Sequence, residues 1–281
     1  MLGLDQPGRS VVVLDHGLIQ RIEATLKTIP TEAIGLILAS ASERVFIAGA
    51  DLKTISTLED AQLDKYLAYG QRVFGMLSQL PFPTAAAING AALGGGLEIA
   101  MHCDGLIGAP AASGKPYPLG LPEAGLCLCP GWGGTNLLPA RLDPTQALTM
   151  TATGTTMAFD EACQAGFFDR IAKDQSTLLD DAAAWILDTR SQGRIERDGA
   201  PHKWIGHNAS ATLAALDTLR ADHTLPETAS AHAVIEAVDA GLANGWQAAL
   251  DMERTRLIQL RNSPAGSDAI RAFFERTAAK S

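Results

Sequence analysis

The run Gly94, Gly95 and Gly96, followed at Glu98 by a carboxylate inside an otherwise apolar segment, is the feature of this chain best placed to do chemistry. Glycines entering a helix leave main-chain N–H groups without intrahelical partners, at the positive end of the helix dipole. With no Cβ in the way, a ligand carbonyl can approach those groups closely. That is the geometry of an oxyanion hole, where fixed donors stabilise negative charge developing on oxygen. One donor is seldom enough. The segment Ala48–Asp51, read as a strand end followed by a glycine bend, is the best source of a second N–H, at Ala50. Two carboxyl groups complete the set: Glu98 just inside the helix, and Glu123 after a proline at the end of a long loop. Facing one substrate, such a pair can divide the work, one member holding a water as base and the other donating a proton. Their mutual repulsion favours one protonated member near neutrality.

Other readings of the glycines fail on the residues present. A dinucleotide fingerprint started at Gly94 needs glycine where Ile99 stands, and one started at Gly131 needs it where Asn136 stands. A phosphate-cradling loop would end in G-K-[ST]; here Glu98 would repel a phosphate instead. No G-x-S-x-G elbow is present. The net charge of −9 argues against a nucleic-acid partner or an anionic membrane surface. No stretch approaches the ~20 apolar residues needed to cross a bilayer. The start, "MLGLDQPGRSVVVL", carries no signal or transit pattern. Cys103, Cys127, Cys129 and Cys163 lack metal-ligand spacing and read as reduced core residues of a cytoplasmic protein.

The elements that must position these groups follow from periodicity. Val11–Leu14 reads as a strand or the end of one, and Leu18, Ile19, Ile22 and Leu26 mark a helix that ends near Pro30. Gly35–Ser40 and Arg44–Leu52 read as strands, the second running into the Gly49 bend. Glu59–Leu80 is the clearest helix, stopped by "PFP". Thr84–Asn89 predicts a small-residue strand, Leu97–His102 a helix, and Asp104–Ala109 another strand. Pro110–Glu123 reads as loop throughout, and Pro130–Thr135 as a glycine turn ahead of a helix. Beyond Gln175 strand signals fade. A polar stretch, Ser191–Asn208, reads as a linker, followed by helical patterns at His232–Leu242, Trp246–Leu260 and Ser267–Ala279. Strands alternating with helices indicate an α/β layer architecture. His102 reads as a structural histidine and Trp132 as pocket wall or core. Lys53 reads equally as a surface lysine or a phosphate contact, and the charges of Asp251–Arg256 as a solvated helix face.

Four ordered motifs, "FIAGADLK" (Phe46–Lys53), "NGAALGGGLEIAMHCD" (Asn89–Asp104), "LPEAGLCLCPGWGGTNLLPARL" (Leu121–Leu142) and "AFDEACQAGFFDRI" (Ala158–Ile171), resemble the crotonase superfamily, chiefly its enoyl-CoA hydratases. The resemblance covers most of residues 10–172 and resumes in the tail from Ala249 to Ala278, while Ser191–Ala229 matches poorly. It implies an α/β fold, a spiral of β-β-α units with a helical C-terminal region. Residues 1–190 would form the core with the active site, and 191–281 a linker and an oligomerisation region building trimers or hexamers. Position by position, it implies that Ala50 and Gly95 supply the two N–H donors to a thioester carbonyl. Glu98 would hold the water, and Glu123 would protonate C2. Ala48, Asp51, Leu52 and Lys53 would cradle coenzyme A, and Gly131 would line the acyl pocket. The implied activity is hydration of an enoyl-CoA. A double-bond isomerase or another crotonase-type acyl-CoA enzyme is the alternative on the same scaffold, and a silent acyl-CoA binder or assembly subunit the alternative of another class. No cofactor is implied, coenzyme A being part of the substrate, and no metal. The tail and "LDQPGRSVVVL" also resemble the hydratase part of multifunctional fatty-acid oxidation proteins, so a hydratase-type module on its own is expected. The family's first strand is expected to be missing, and the loop before Glu123 to be longer than usual.

Overall fold

The computed structural model describes residues 1–9, 11–42, 44–193 and 195–279. Ser10 of "LDQPGRSVVVL", Arg194 of the polar stretch and the last two residues of the tail lie outside the described residues.

The chain opens with β1 (Leu2–Leu4) and α1 (His16–Leu26), which Asp15 caps by accepting a hydrogen bond from Leu18 N. β2 (Leu36–Ser40) and β3 (Val45–Ile47) lead into α2 (Leu52–Thr57) and α3 (Asp60–Gln79). β4 (Thr84–Ile88) and β5 (Ala91–Leu93) lead into α4 (Gly95–Met101). β6 (Gly105–Gly108) and β7 (Pro118–Gly120) lead into a 3-10 turn, Pro122–Leu126, and α5 (Gly134–Leu137). Then come α6 (Pro144–Thr153), β8 (Thr156–Ala158), α7 (Phe159–Gln164) and β9 (Arg170–Ile171). Helices alone follow: α8 (Leu178–Ser191), α9 (Ala209–Ala221), α10 (Ala229–Asn244), α11 (Trp246–Arg261) and α12 (Pro264–Ala278).

One sheet is wholly parallel, in the order β1-β2-β4-β6-β9. The other runs β3-β5-β7-β8, with only β8 antiparallel. Each pair β2–β3, β4–β5 and β6–β7 therefore sends one strand to each sheet before the chain turns helical. This is a spiral of β-β-α repeats, the α/β architecture that the motifs imply. The small residues of β4 have a packing reason. Ala85 and Ala87 face the helix α8 side, with Leu178, Ala182 and Ile186, whereas Ala86 and Ile88 face the main core. A strand covered on both faces has no polar side, which is why its sequence shows no alternation. A side-chain carbon at Gly35 would lie 2.3 Å from Ile186, and one at Gly105 would lie 2.6 Å from the Trp185 ring, so α8 sits on the sheet only because these positions are bare.

Several expectations need correction. A first strand is present after all: β1 pairs with β2 at the sheet edge, with Leu2 and Leu4 buried. Val11–Leu14 is not a strand. It contributes a single bridge, Leu14 to Ala50. Regular strand in Arg44–Leu52 stops at Ile47, because the chain must bend at Gly49 (φ 122°) to begin α2. The segment Pro110–Glu123 is not loop throughout: Pro118–Gly120 is a strand, and Glu123 sits on the 3-10 turn. Among its described residues Ser191–Asn208 is largely irregular and mostly exposed, but it is anchored at a few points. Ala200, Trp204 and Ile205 are buried, and the Arg197 guanidinium pairs with Asp104 and caps the carbonyls of Leu80 and Phe82.

Candidate active site

The triglycine is the hinge between β5 and α4. Gly94 takes φ 51° and ψ −128°, a backbone state closed to most side chains, and its N–H donates to Gly120 O at 2.9 Å. That bond ties β5 to β7 and brings the 3-10 turn alongside. As a result Glu123 lies against the glycines: a carbon built on Gly94 would stand 2.5 Å from Glu123 Oε1. A carbon built on Gly95 would stand 3.3 Å from Ala50 N and 2.4 Å from the Trp132 ring. The two distant segments of the oxyanion reading thus meet. Neither the Ala50 nor the Gly95 amide donates to another main-chain group among the described residues. Trp132 backs this corner, edge-on to Tyr66 and Phe74, with its indole N–H donating to Leu67 O at 3.1 Å.

A cavity of about 290 Å³ opens on these groups. Glu98 and Glu123 are both on its wall, with Ala48, Gly49, Ala50, Leu52, Gly94 and Gly131. Ile55, Leu67, Leu126, Leu128, Leu257 and Phe273 make the rest apolar, a lining suited to a hydrocarbon chain. From α3, Leu67 reaches the wall, whereas no residue of Tyr69–Leu77 does. Asp51 and Lys53 also lie off the wall. The Asp51 carboxylate caps α2, accepting from Lys53 N and Thr54 Oγ1, and Lys53 is exposed. Gly95 stands just behind Gly94.

The two acids are held differently. Glu98 Oε1 accepts the N–H groups of Trp132 (2.7 Å) and Gly134 (2.8 Å), which fixes the carboxylate's orientation. Glu123 Oε2 is buried and has no hydrogen-bond partner among the described residues, so it is the oxygen freer to give or take a proton. Burial pushes the Glu98 carboxyl well above the usual carboxylate range, and the charges of Glu253 and Glu123 push the same way. Burial likewise raises Glu123 to about 7. His102 is structural, as expected: its Nε2–H donates to Trp132 O at 3.0 Å, and burial drives its pKa down to about 4.

The third acid is a correction. Glu253 was expected on a solvated face of α11, yet it is fully buried, and burial raises it to about 7. Its spacing carried the signal. Leu250, Glu253, Leu257 and Leu260 recur at helical intervals on one buried stripe, so a charge in that row faces inward. Leu257 and Phe273, also unassigned to the site from sequence, reach the wall from α11 and α12. Among the described residues, no group of three or more His, Cys, Asp or Glu side chains could hold a metal ion, and no helix is long and apolar enough to cross a membrane.

These shifts have a consequence for stability. The unfolded chain releases the Glu123 proton near the ordinary value of 4.5, whereas the folded protein keeps it up to about 7. Folded molecules therefore bind more protons over that interval, and stability falls as pH rises through it. The loss is of the order of 3 kcal/mol for one such group. Urea unfolding at stepped pH is expected to show this decline, with a shallower one in Glu123→Gln. Parallel curves for the two proteins would contradict it.

A family model described as enoyl-CoA hydratase/isomerase matches residues 6–200. The fatty acid oxidation complex subunit alpha of Idiomarina loihiensis is 31% identical over 290 residues, covering 100% of this chain. The chain spans 40% of that relative's length. Among solved structures, the enoyl-CoA hydratase of Bacillus anthracis is 26% identical with a TM-score of 0.61, over 98% of this chain and 91% of that one. Human mitochondrial delta3-delta2-enoyl-CoA isomerase shares the fold at 20% identity and a TM-score of 0.65, over 95% and 90% of the two chains.

Proposed function

The chain belongs to the enoyl-CoA hydratase/isomerase family, and from that premise we propose that it is an enoyl-CoA hydratase, adding water across the 2,3 double bond of an enoyl-CoA thioester. The observation that carries this reading is that two carboxyl groups, the buried Glu98 and the half-buried Glu123 with its Oε2 shut off from solvent, share one cavity wall beside the Ala50 and Gly95 amides. The thioester oxygen accepts both amides, which stabilise the enolate-like charge that develops as C3 is attacked. Glu98, held by two N–H groups, takes a proton from the water whose oxygen bonds to C3. Glu123 gives its proton to C2, and a proton returning from Glu98 to Glu123 resets the pair. Double-bond migration moves one proton between two carbons and can be served by a single acid, so the second acid favours hydration. Ala48 and Leu52, on the wall, and Asp51 and Lys53, beside it, are the residues this reading sets toward coenzyme A, with Gly131 at the acyl chain. The same reading makes the protein a cytoplasmic enzyme of fatty-acid oxidation, assembled through its C-terminal helices as a trimer or hexamer, without a cofactor of its own.

The test is a spectrophotometric panel of 2-enoyl-CoA and 3-enoyl-CoA substrates of several chain lengths. Loss of the conjugated-thioester absorbance from 2-enoyl-CoA, with 3-hydroxyacyl-CoA as product, is expected. Conversion of 3-enoyl-CoA to 2-enoyl-CoA without hydration would replace this reading with the isomerase. Tight acyl-CoA binding with no turnover of either would replace it with a silent binder.

A further inference from the structure

We propose that Glu253 is a positioning residue for the acid–base pair: its carboxylate and that of Glu98 clasp alternate main-chain amides of one turn, so α11 sets the orientation of Glu98. Along Trp132–Thr135 the four successive N–H groups go to Glu98, Glu253, Glu98 and Glu253. Glu253 Oε2 accepts Gly133 N at 2.6 Å, and Oε1 accepts Thr135 N at 2.9 Å and Thr135 Oγ1 at 2.5 Å. The threonine hydroxyl is itself fixed by Asn136 Nδ2 (2.8 Å), whose other hydrogen bond runs to Ala237 O on α10. Cys129 Sγ contacts Glu253 O at 3.5 Å, joining the loop before the turn to the same helix residue.

Glu253 is fully buried and off the cavity wall, so its hydrogen-bonded link to Glu98 runs through this turn. Two carboxylates on interleaved amides cannot move independently. If either releases its N–H groups, the turn shifts and the other loses its register. Charge adds a second link, since the negative charge of Glu253 opposes ionisation of both Glu98 and Glu123. The other ionisable groups facing this cluster are few. Cys129 precedes the turn, and Arg256 on α11 acts on it from farther away. His102 on the far side stays neutral, and Arg254 turns outward to Asp64 and Gln71.

The inference rests on the acid–base reading of Glu98 and is tested with two readouts, of which only one needs turnover. In Glu253→Gln an amide NH₂ must face one of the turn's N–H donors. For crotonyl-CoA hydration, kcat is expected to fall on the order of 10- to 100-fold, as for a catalytic group displaced by about an ångström, with KM within threefold. The pH profile of kcat should move to lower pH. In the substrate-free protein, pH-difference infrared spectra, with the Glu98 band identified by its loss in Glu98→Gln, should show Glu98 titrating at lower pH in Glu253→Gln than in wild type. A wild-type protein that does not hydrate crotonyl-CoA defeats the hydratase reading and leaves the infrared comparison standing. A folded Glu253→Gln with unchanged kcat and an unmoved Glu98 band overturns the positioning role. Should that variant not fold, Glu253→Asp, which keeps the charge but withdraws the carboxylate by one methylene from Gly133 and Thr135, is expected to lower kcat with the Glu98 band moved less than in a charge-removing variant; a folded Glu253→Asp with unchanged kcat overturns the positioning role.

Discussion

Glu123→Gln is expected to lower kcat for crotonyl-CoA hydration by ~10²- to 10⁴-fold, the range spanned by a positioned general acid. The effect should be large because nothing else near C2 can replace the proton. Glu98 is anchored by two amides on the turn, and Glu253 is off the wall. The fold should survive, since Glu123 Oε2 makes no hydrogen bond among the described residues that glutamine would break. Substrate affinity should change little, because the cavity wall around Glu123 is apolar and the substitution nearly isosteric. Steady-state kinetics with a thermal melt as control checks both halves. Activity within a few-fold of wild type would remove Glu123 from the mechanism.

Gly95→Ala is expected to cost ~10²- to 10³-fold in kcat, the loss seen when one oxyanion-hole donor is taken away. The new methyl would stand 3.3 Å from Ala50 N, crowding the corner where the two amides converge. It would also meet the Trp132 ring at 2.4 Å, so the ring must give way. Two effects then compete: a local repacking cost, roughly 1–3 kcal/mol for an overpacked core, and the loss of transition-state stabilisation. They separate experimentally. Repacking lowers the melting temperature, whereas a blocked oxyanion hole lowers kcat in protein that is still fully folded at the assay temperature. A variant that is folded and fully active would place the carbonyl elsewhere.

Much of the site was legible because its chemistry depends on local sequence. Bare glycines ahead of a helix, a second glycine bend and a glutamate in an apolar run each state their constraint within a few residues. Helices α1 and α3 were legible for the same reason, their buried faces repeating at helical intervals. In the second sheet β3 was legible within Arg44–Leu52, but β5, β7 and β8 were not. β5 and β7 are three residues each and exist through pairing with each other and with distant partners, so no local period announces them. Glu253 was hidden by a different cause. The surrounding "DMERTR" is charged enough to look solvated, and only its register with Leu250 and Leu257 turns it inward. Nothing local reveals that the turn it meets is the one holding Glu98. The edge strand β1 was missed because three residues, with Leu2 and Leu4 buried on one side, are too few to establish alternation.

The wall of the cavity joins Ala48 and Gly49, near the front of the chain, to Leu257 and Phe273 on the last two helices. During synthesis, then, the glycine corner and both of its acids leave the ribosome well before the helices that brace and cover them. Until Leu257 and Phe273 are in place the wall lacks its α11 and α12 residues, and the burial that raises both acids is incomplete. Docking of α11 and α12 completes the apolar wall and sets Glu253 on the turn that holds Glu98.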